Sequence, residues 1–142
     1  MFIGAVALNP ATGIAQDGMT IVPLKTIKWS VCDSTAPKPD VCQFAYVRGD
    51  PAKEPNHKMI KARAGFVFPP HWHAGNEHLV IVSGTVTIAA EGGQERDELL
   101  VPGDYLNIPA RRVHWGACPS DCVLYLYVDG PDTYFDAKTQ RP

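Results

Sequence analysis

Apolar and polar residues alternate along most of the chain over short stretches, and glycine or proline separates one stretch from the next. Side chains of an extended strand point to opposite faces in turn, so this period of two predicts strands with one apolar face. No stretch of the sequence has the 3.6-residue period of an amphipathic helix. The predicted strands lie in residues 19–31 (interrupted at Pro23), 43–49, 57–64, 78–82, 85–89, 99–102, 105–108, 113–117 and 123–128. An even succession of short strands indicates an all-β sandwich or small barrel.

The size and charge of the chain narrow the range of partners. A chain of 142 residues is expected to form one domain. Thirteen basic residues against fifteen acidic ones give a net charge of −2, and residues 91–98, the most charged run, are predicted to be a solvated loop. Without a basic patch we expect no nucleic-acid partner. No apolar run approaches the ~20 residues needed to span a bilayer, so we expect no membrane partner either.

Residues 65–84, GFVFPPHWHAGNEHLVIVSG, contain most of the candidate chemistry. His71 and His73 stand at alternate positions, and the preceding Pro69 and Pro70 disfavour a helix, so both imidazoles should point to one face of a strand. Glu77 follows after a short turn and adds a carboxylate. Two nitrogen ligands and one oxygen ligand make half of a metal site. A second glycine-to-proline segment, residues 103–109, leads to His114, which is the candidate for the other half.

The spacing of these residues resembles that of the cupin superfamily. Gly65, His71, His73, Glu77 and Gly84 match the first cupin motif at every position.

The second cupin motif is matched by Gly103, Pro109 and His114. The sequence departs from it at Arg111, where the motif has glycine, and at Cys118, where it has asparagine. Both departures lie outside the ligand set, so they affect the match in turn geometry and leave the metal prediction unchanged.

The resemblance implies a single-domain cupin jelly-roll β-barrel (double-stranded β-helix) over residues 17–142, with a metal at the bottom of a barrel open at one end. Three imidazoles and one carboxylate suit one divalent transition metal, namely Zn, Fe, Mn, Ni or Cu. The pocket wall is expected from polar and aromatic residues of the later strands, and the candidates are Tyr105, Asn107, Tyr125 and Tyr127.

The N-terminus and the cysteines bear on where the protein acts. Residues 1–16 are apolar and lack Lys and Arg, so they represent either the remnant of a secretory signal or a flexible arm or packed edge strand. Cysteines 32 and 42 bracket one loop, and Cys118 and Cys122 bracket another. Two local pairs indicate two disulfides of a periplasmic or secreted protein, whereas a four-cysteine zinc site and a cytoplasmic location are the alternatives.

Two classes of function fit these features. The first is a small-molecule metalloenzyme, with a dioxygenase-type oxidoreductase preferred and an isomerase, epimerase or lyase as alternatives; no catalytic residue beyond the ligands can be assigned. The second is a non-catalytic metal-binding or sensor module. A small-molecule ligand is the expected partner of either class. A homodimer is also expected, because small cupins often pair edge strands and residues 22–27 form an apolar edge candidate.

Overall fold

Short strands dominate the structure, a computed structural model that describes residues 14–16, 18–33 and 38–142. Within this part of the chain the strands are β1 (Ile14–Gln16), β2 (Met19–Ile21), β3 (Ser30–Val31), β4 (Cys42–Arg48), β5 (Asn56–Ala62), β6 (Val67–Trp72), β7 (Glu77–Ser83), β8 (Val86–Ala90), β9 (Gln94–Leu100), β10 (Tyr105–Ile108), β11 (His114–Ala117), β12 (Cys122–Val128) and β13 (Phe135–Asp136). Two 3₁₀ turns, Leu24–Thr26 and Pro39–Val41, interrupt the early strands. No helix among the described residues is long and apolar enough to cross a membrane. The predicted all-β class is confirmed.

Two antiparallel sheets form the barrel. The larger sheet has the order β10-β7-β12-β5-β4-β3, and the smaller has the order β13-β6-β11-β8-β9. Neighbouring strands in both sheets are mostly distant in sequence, which is the connectivity of a jelly roll rather than of a meander. Strands β1 and β2 pair only with each other in a separate hairpin.

The core lies between the two sheets. Strand β12 shows how the sequence determines its faces, because its even-numbered residues are buried and its odd-numbered residues are half-buried. The buried residues of the main cluster are Cys42, Ala62, Leu79, Ile81, Val86, Ile108, Cys118, Cys122, Leu124 and Leu126. The buried polar residues described below lie where β6 ends and β7 begins.

Strand β9 differs from the sequence-based expectation. Residues 91–98 were predicted to be a loop, but only residues 91–93 form the turn and the pairing of β8 with β9 begins at Gln94. Strand β9 is at the sheet edge, and residues 94–99 are exposed. An exposed edge strand carries the same charge pattern as a solvated loop, so composition alone does not separate the two.

The apolar segment at residues 22–27 is also not the edge strand that was expected. Leu24–Thr26 is a 3₁₀ turn, and the Leu24 side chain is 68% exposed. The homodimer stays a prediction.

Two disulfides join the cysteine pairs that the spacing favours, Cys32 with Cys42 and Cys118 with Cys122. The residues described contain no free cysteine, so the four-cysteine zinc site is not formed. Cys118 and Cys122 are buried in the core cluster, and their bond closes the turn between β11 and β12.

We expect Cys32→Ser to lower the free energy of unfolding by about 3 kcal/mol, because it opens a loop that spans ten positions. Cys32 is exposed, whereas Cys42 is 1% exposed and stays in place in this variant. The loss therefore reports the cross-link and not a cavity. Urea unfolding of the variant and of the oxidised wild type measures it, and equal midpoints would show that the bond adds no stability.

Candidate metal centre

The two sheets bring the predicted ligands to one end of the barrel. His71 lies near the end of β6, directly opposite His114 of β11 in the antiparallel register. His73 follows one residue beyond β6, and Glu77 is the first residue of β7 in the other sheet. All four side chains are buried, with exposed fractions between 3% and 8%. The fold thus brings together residues 71 and 114, which are 43 positions apart in sequence, on one sheet and sets Glu77 of the other sheet against them.

The ligand atoms converge on one point. Glu77 Oε2 lies 3.4 Å from Nε2 of His73 and 3.3 Å from Nε2 of His114. Ring nitrogens of His71, His73 and His114 all lie within 4.8 Å of one another. The centroids of the His71 and His114 rings are 4.2 Å apart.

Backbone carbonyls fix the tautomer of each imidazole. The Nδ1 of His71 lies 2.6 Å from the carbonyl oxygen of Pro69, and that of His114 lies 2.9 Å from the carbonyl oxygen of Arg112. The Nδ1 of His73 is hydrogen-bonded to the carbonyl oxygen of Thr133. A carbonyl oxygen only accepts hydrogen bonds, so each Nδ1 carries the proton and each Nε2 offers a lone pair.

This arrangement has the chemistry of a metal site. Three Nε2 lone pairs and a carboxylate face one another in a buried space, and none of the four groups has a proton to donate. A bound cation would accept these lone pairs and neutralise the carboxylate, which would otherwise be buried without a partner. Imidazole nitrogen and carboxylate oxygen are ligands of Zn, Fe, Mn, Ni and Cu, and a second hydrogen bond at Nδ1 is the usual way in which proteins orient a metal-bound histidine.

The protonation of these groups also suits a metal. Burial, with a smaller contribution from neighbouring His114, lowers the pKa of His71 to about 3. Burial likewise lowers the pKa of His73. Burial acts to raise the pKa of Glu77, but His73, His114 and Lys58 outweigh it and lower that pKa below its usual range. At neutral pH His71 and His73 are therefore neutral and Glu77 is ionised, as metal ligands must be.

We expect the metal-free protein to lose stability as the pH falls from 6.5 towards 4.5. An unfolded histidine takes up a proton near pH 6.5, whereas the pKa of folded His71 is about 3. The unfolded state binds more protons than the folded state in this interval, so the free energy of unfolding decreases as the pH decreases. The decrease is roughly 1 kcal/mol per pH unit for each histidine that stays neutral in the folded state. Urea midpoints between pH 7 and 4.5 measure the slope, and His71→Gln should reduce it. A flat wild-type profile would contradict the assignment of a neutral His71.

Three of the four pocket candidates lie away from this site. Tyr125 and Tyr127 stand on the outer face of β12, opposite its buried residues, where their rings contact His57. Tyr105 is 60% exposed, and its hydroxyl lies 2.7 Å from Nδ1 of His78. These tyrosines do not face the ligands, because each stands at the outward position of its strand.

Asn107 is the exception among the four, because it lines a cavity that also borders the ligand His114. This cavity has a volume of about 460 Å³ and adjoins His114 between the edge strands β9 and β10. Its lining is apolar at Ile88, Leu100, Leu106 and Ile108 and polar at Gln94, Glu98 and Arg112. A small organic molecule fits a space of this size.

Arg112 and Tyr134 are two further residues near the ligands that belong to neither sequence motif. Nη1 of Arg112 donates to the carbonyls of Glu91 and Gly92 at 2.6 and 3.2 Å, which holds its guanidinium at the cavity. Tyr134 stacks on His71, with ring centroids 4.8 Å apart, and its ring edge approaches His73. Burial, reinforced by Asp136, raises the pKa of Tyr134. Arg112 stands two residues before the ligand His114, and this position in the sequence could have identified it. No feature of the sequence pointed to Tyr134.

Fold and site together define a small β-barrel protein with a buried three-histidine, one-carboxylate centre. A family model for the cupin domain matches residues 59–128, a range that includes all four of these residues. The match identifies a cupin domain at residues 59–128.

Comparison with solved structures shows the same fold. An RmlC-like cupin from Shewanella frigidimarina NCIMB 400 has a TM-score of 0.63 at 16% identity, covering 77% of this chain and 87% of its own. The DMSP lyase DddQ from Ruegeria pomeroyi DSS-3 has a TM-score of 0.63 at 17% identity, covering 75% of this chain and 57% of its own. Salicylate 1,2-dioxygenase from Pseudoaminobacter salicylatoxidans, with gentisate, has a TM-score of 0.57 at 15% identity, covering 68% of this chain and 26% of its own.

One curated relative matches at the sequence level. The DNA damage-repair/toleration protein DRT102 of Arabidopsis thaliana is 33% identical over 76 residues, which is 54% of this chain. The match spans about a quarter (24%) of the relative's length.

Proposed function

We propose that this protein is a divalent-metal-dependent enzyme that acts on a small organic molecule. The observation that carries the proposal is the convergence of three Nε2 lone pairs and the Glu77 carboxylate beside a cavity of about 460 Å³. The ligands would be His71, His73, Glu77 and His114. Four protein ligands leave two positions of an octahedral ion for exchangeable groups, and His114 adjoins the cavity through which such groups would arrive.

Within this class we prefer an oxygen-dependent oxidation. A bound redox-active ion would supply a site for dioxygen next to the substrate. The three-histidine, one-carboxylate set and the resemblance in fold to a salicylate 1,2-dioxygenase support this preference. The chain itself supplies the binding surface: the apolar wall of Ile88 and Leu106 would exclude water, and the Arg112 guanidinium would hold a polar end of the substrate.

Elemental analysis of the protein purified from cells is the first test of this proposal. We expect one equivalent of iron, manganese, copper or nickel, with water that exchanges on and off the ion. Oxygen uptake with small aromatic and aliphatic acids would then identify the reaction class. Four-coordinate zinc without exchangeable water would favour the sensor module, and a protein that takes up no divalent ion would overturn the proposal.

A second candidate is a lyase or isomerase, and the position of Tyr134 favours it. The phenol stands over the His71 ring and is protonated at neutral pH, so it could donate a proton to a leaving group there; burial raises the pKa of Tyr134, which makes the phenol a weaker acid. Turnover that needs the metal and Tyr134 but consumes no oxygen would select this candidate. The fold resemblance to a DMSP lyase is compatible with either chemistry, since one fold hosts many reactions.

We further propose that the protein works in an oxidising compartment, either periplasmic or extracellular. Two disulfides and the lack of a free cysteine in the described residues support this location. The predicted secretory remnant at residues 1–16 lies almost wholly outside the described residues, and the side chains of residues 14–16 do as well. Fractionation of cells that express the full-length gene would test it.

A further inference from the structure

An ion pair lies buried next to the proposed metal centre. Lys58 Nζ donates to Asp132 Oδ2 at 2.6 Å, and the Tyr46 hydroxyl donates to the same oxygen at 2.8 Å. The side chains of Lys58 and Asp132 are only 10% and 4% exposed. Lys58 stands on the inner face of β5, where the sequence pattern would place an apolar residue. A buried ion pair is costly to desolvate and seldom adds net stability, so its presence here calls for another role.

The ion pair fixes a segment that contacts two of the ligands. We name residues 129–136 the strap. Its Asp132 N–H donates to the carbonyl of Pro51 at 2.8 Å. The next residue, Thr133, supplies the carbonyl that accepts the Nδ1 proton of His73, and Tyr134 stacks on His71.

Asp132 lies behind His73 and not at the ligand side. Its Oδ1 is 3.6 Å from His73 Nδ1, the nitrogen that faces away from the convergence point. Its Oδ2 is engaged by Lys58 and Tyr46. An Asp132 oxygen also lies within 4.8 Å of ligand atoms of His73 and Glu77. Because one Asp132 oxygen faces the Nδ1 side of His73 and the other is held by Lys58 and Tyr46, its role lies in supporting the imidazole and not in the ligand set.

We propose that Asp132, held by Lys58 and Tyr46, is a positioning residue that sets the orientation and donor strength of His73 toward a bound metal ion. The inference rests on the proposed function, since it assigns a role at the same site. The hydrogen-bond partner of His73 Nδ1 is the Thr133 carbonyl; Asp132, 3.6 Å from the same nitrogen, holds that carbonyl in place and adds a negative charge behind the ring. Partners behind a metal-bound histidine fix its ring and raise its basicity, and their loss typically weakens metal binding ~10–100-fold. Lys58 neutralises the carboxylate, so that Asp132 can be buried there at all.

The test uses Co(II) alone, because its visible absorption reports ligand geometry as well as affinity. Asp132→Asn by itself would leave Lys58 buried without a counter-ion and could prevent folding. The informative variant is therefore Lys58→Met/Asp132→Asn, which removes both charges and keeps similar volumes. We expect it to fold, to bind Co(II) about 10–100-fold more weakly than the wild type and to show a shifted absorption band.

Two further variants complete the experiment. Asp121→Asn is the matched control. Asp121 also pairs with a cation, Arg63, and accepts the backbone N–H of Ala64, but it is exposed and far from the ligands. This variant should bind Co(II) like the wild type. Tyr46→Phe keeps both charges and removes one hydrogen bond to Asp132. Tyr46→Phe should shift the Co(II) absorption band in the same direction as the double variant does, but by a smaller amount. If the double variant does not fold, Tyr46→Phe alone tests whether Asp132 positions His73.

The outcomes separate the two proposals. A wild type that binds no Co(II) overturns the proposed function. A wild type that binds Co(II), with Lys58→Met/Asp132→Asn matching it in affinity and spectrum, overturns the positioning role alone. A lower melting temperature with an unchanged spectrum and affinity also overturns it, because the ion pair would then serve only to hold the strap. If the double variant fails to fold, Tyr46→Phe replaces it in each of these comparisons.

Discussion

Replacing His71, His73 or His114 by alanine is expected to abolish stoichiometric binding of a divalent metal ion. Each variant removes one of four ligands and leaves the remaining Nε2 lone pairs and the Glu77 carboxylate around an incomplete site. Loss of a hydrogen bond behind a metal-bound histidine already costs ~10–100-fold in affinity, so loss of the ligand itself should cost more. Equilibrium dialysis followed by elemental analysis measures the bound metal per chain.

The two remaining described histidines that the motifs do not use provide the controls. His57 and His78 lie on the outer face of the larger sheet, where Nδ1 of each is within 2.7 Å of a tyrosine hydroxyl. His57→Ala and His78→Ala should therefore bind metal like the wild type. Full metal stoichiometry in a His71→Ala/His73→Ala double variant would refute the assignment.

Gly84→Ala is expected to destabilise the protein by about 3 kcal/mol or more. Gly84 has a φ of 73°, a conformation that costs an L-residue roughly 1–2 kcal/mol. A Cβ at this position would also lie 1.9 Å from the carbonyl oxygen of Asp121, a backbone atom that cannot move away without shifting β12. Overpacking of this kind adds ~1–3 kcal/mol. Thermal or urea unfolding measures the loss.

Gly65→Ala separates the two contributions. Gly65, at the other end of the same motif, has a φ of 83° but no atom within 4 Å of a Cβ placed on it. This variant should lose only the roughly 1–2 kcal/mol of backbone strain. Equal losses at the two positions would show that the close approach of Asp121 to Gly84 has no energetic weight.

The fold and the candidate ligands could be predicted because they depend on local spacing. A two-residue interval places His71 and His73 on one face of any extended segment, whatever surrounds it. The prediction of a metal centre needed only one long-range step, the pairing of His114 with this segment. The register that sets His114 opposite His71 then follows from the fold.

The pocket could not be predicted with the same success, because it depends on which face of each strand points inward. In β12 a signal was present: Leu124, Leu126 and Val128 form a continuous apolar stripe, which places Tyr125 and Tyr127 on the outer face. A shift of one residue in the assumed register of a strand exchanges its inward-facing and outward-facing side chains.

Lys58 shows a limit of a different kind. A lysine is usually exposed to water, yet Lys58 is 8% exposed and lies inside the barrel. Its partner Asp132 is 74 residues away and follows the last long strand. Patterns of polarity predict that a lysine is exposed, and they give no information about a distant carboxylate that makes its burial possible.

The pairing of Asp132 with Lys58 leaves Glu77 as the single uncompensated negative charge among the ligands. A divalent ion held by three neutral imidazoles and one carboxylate would keep one unit of positive charge inside a barrel of low dielectric constant. That charge would adjoin, at His114, a cavity whose lining contains one side chain of each sign, Arg112 and Glu98. Molecules that carry a negative charge would then be drawn in and neutral analogues of the same shape would be discriminated against, so selectivity for anions would follow from the charge of the ligand set itself.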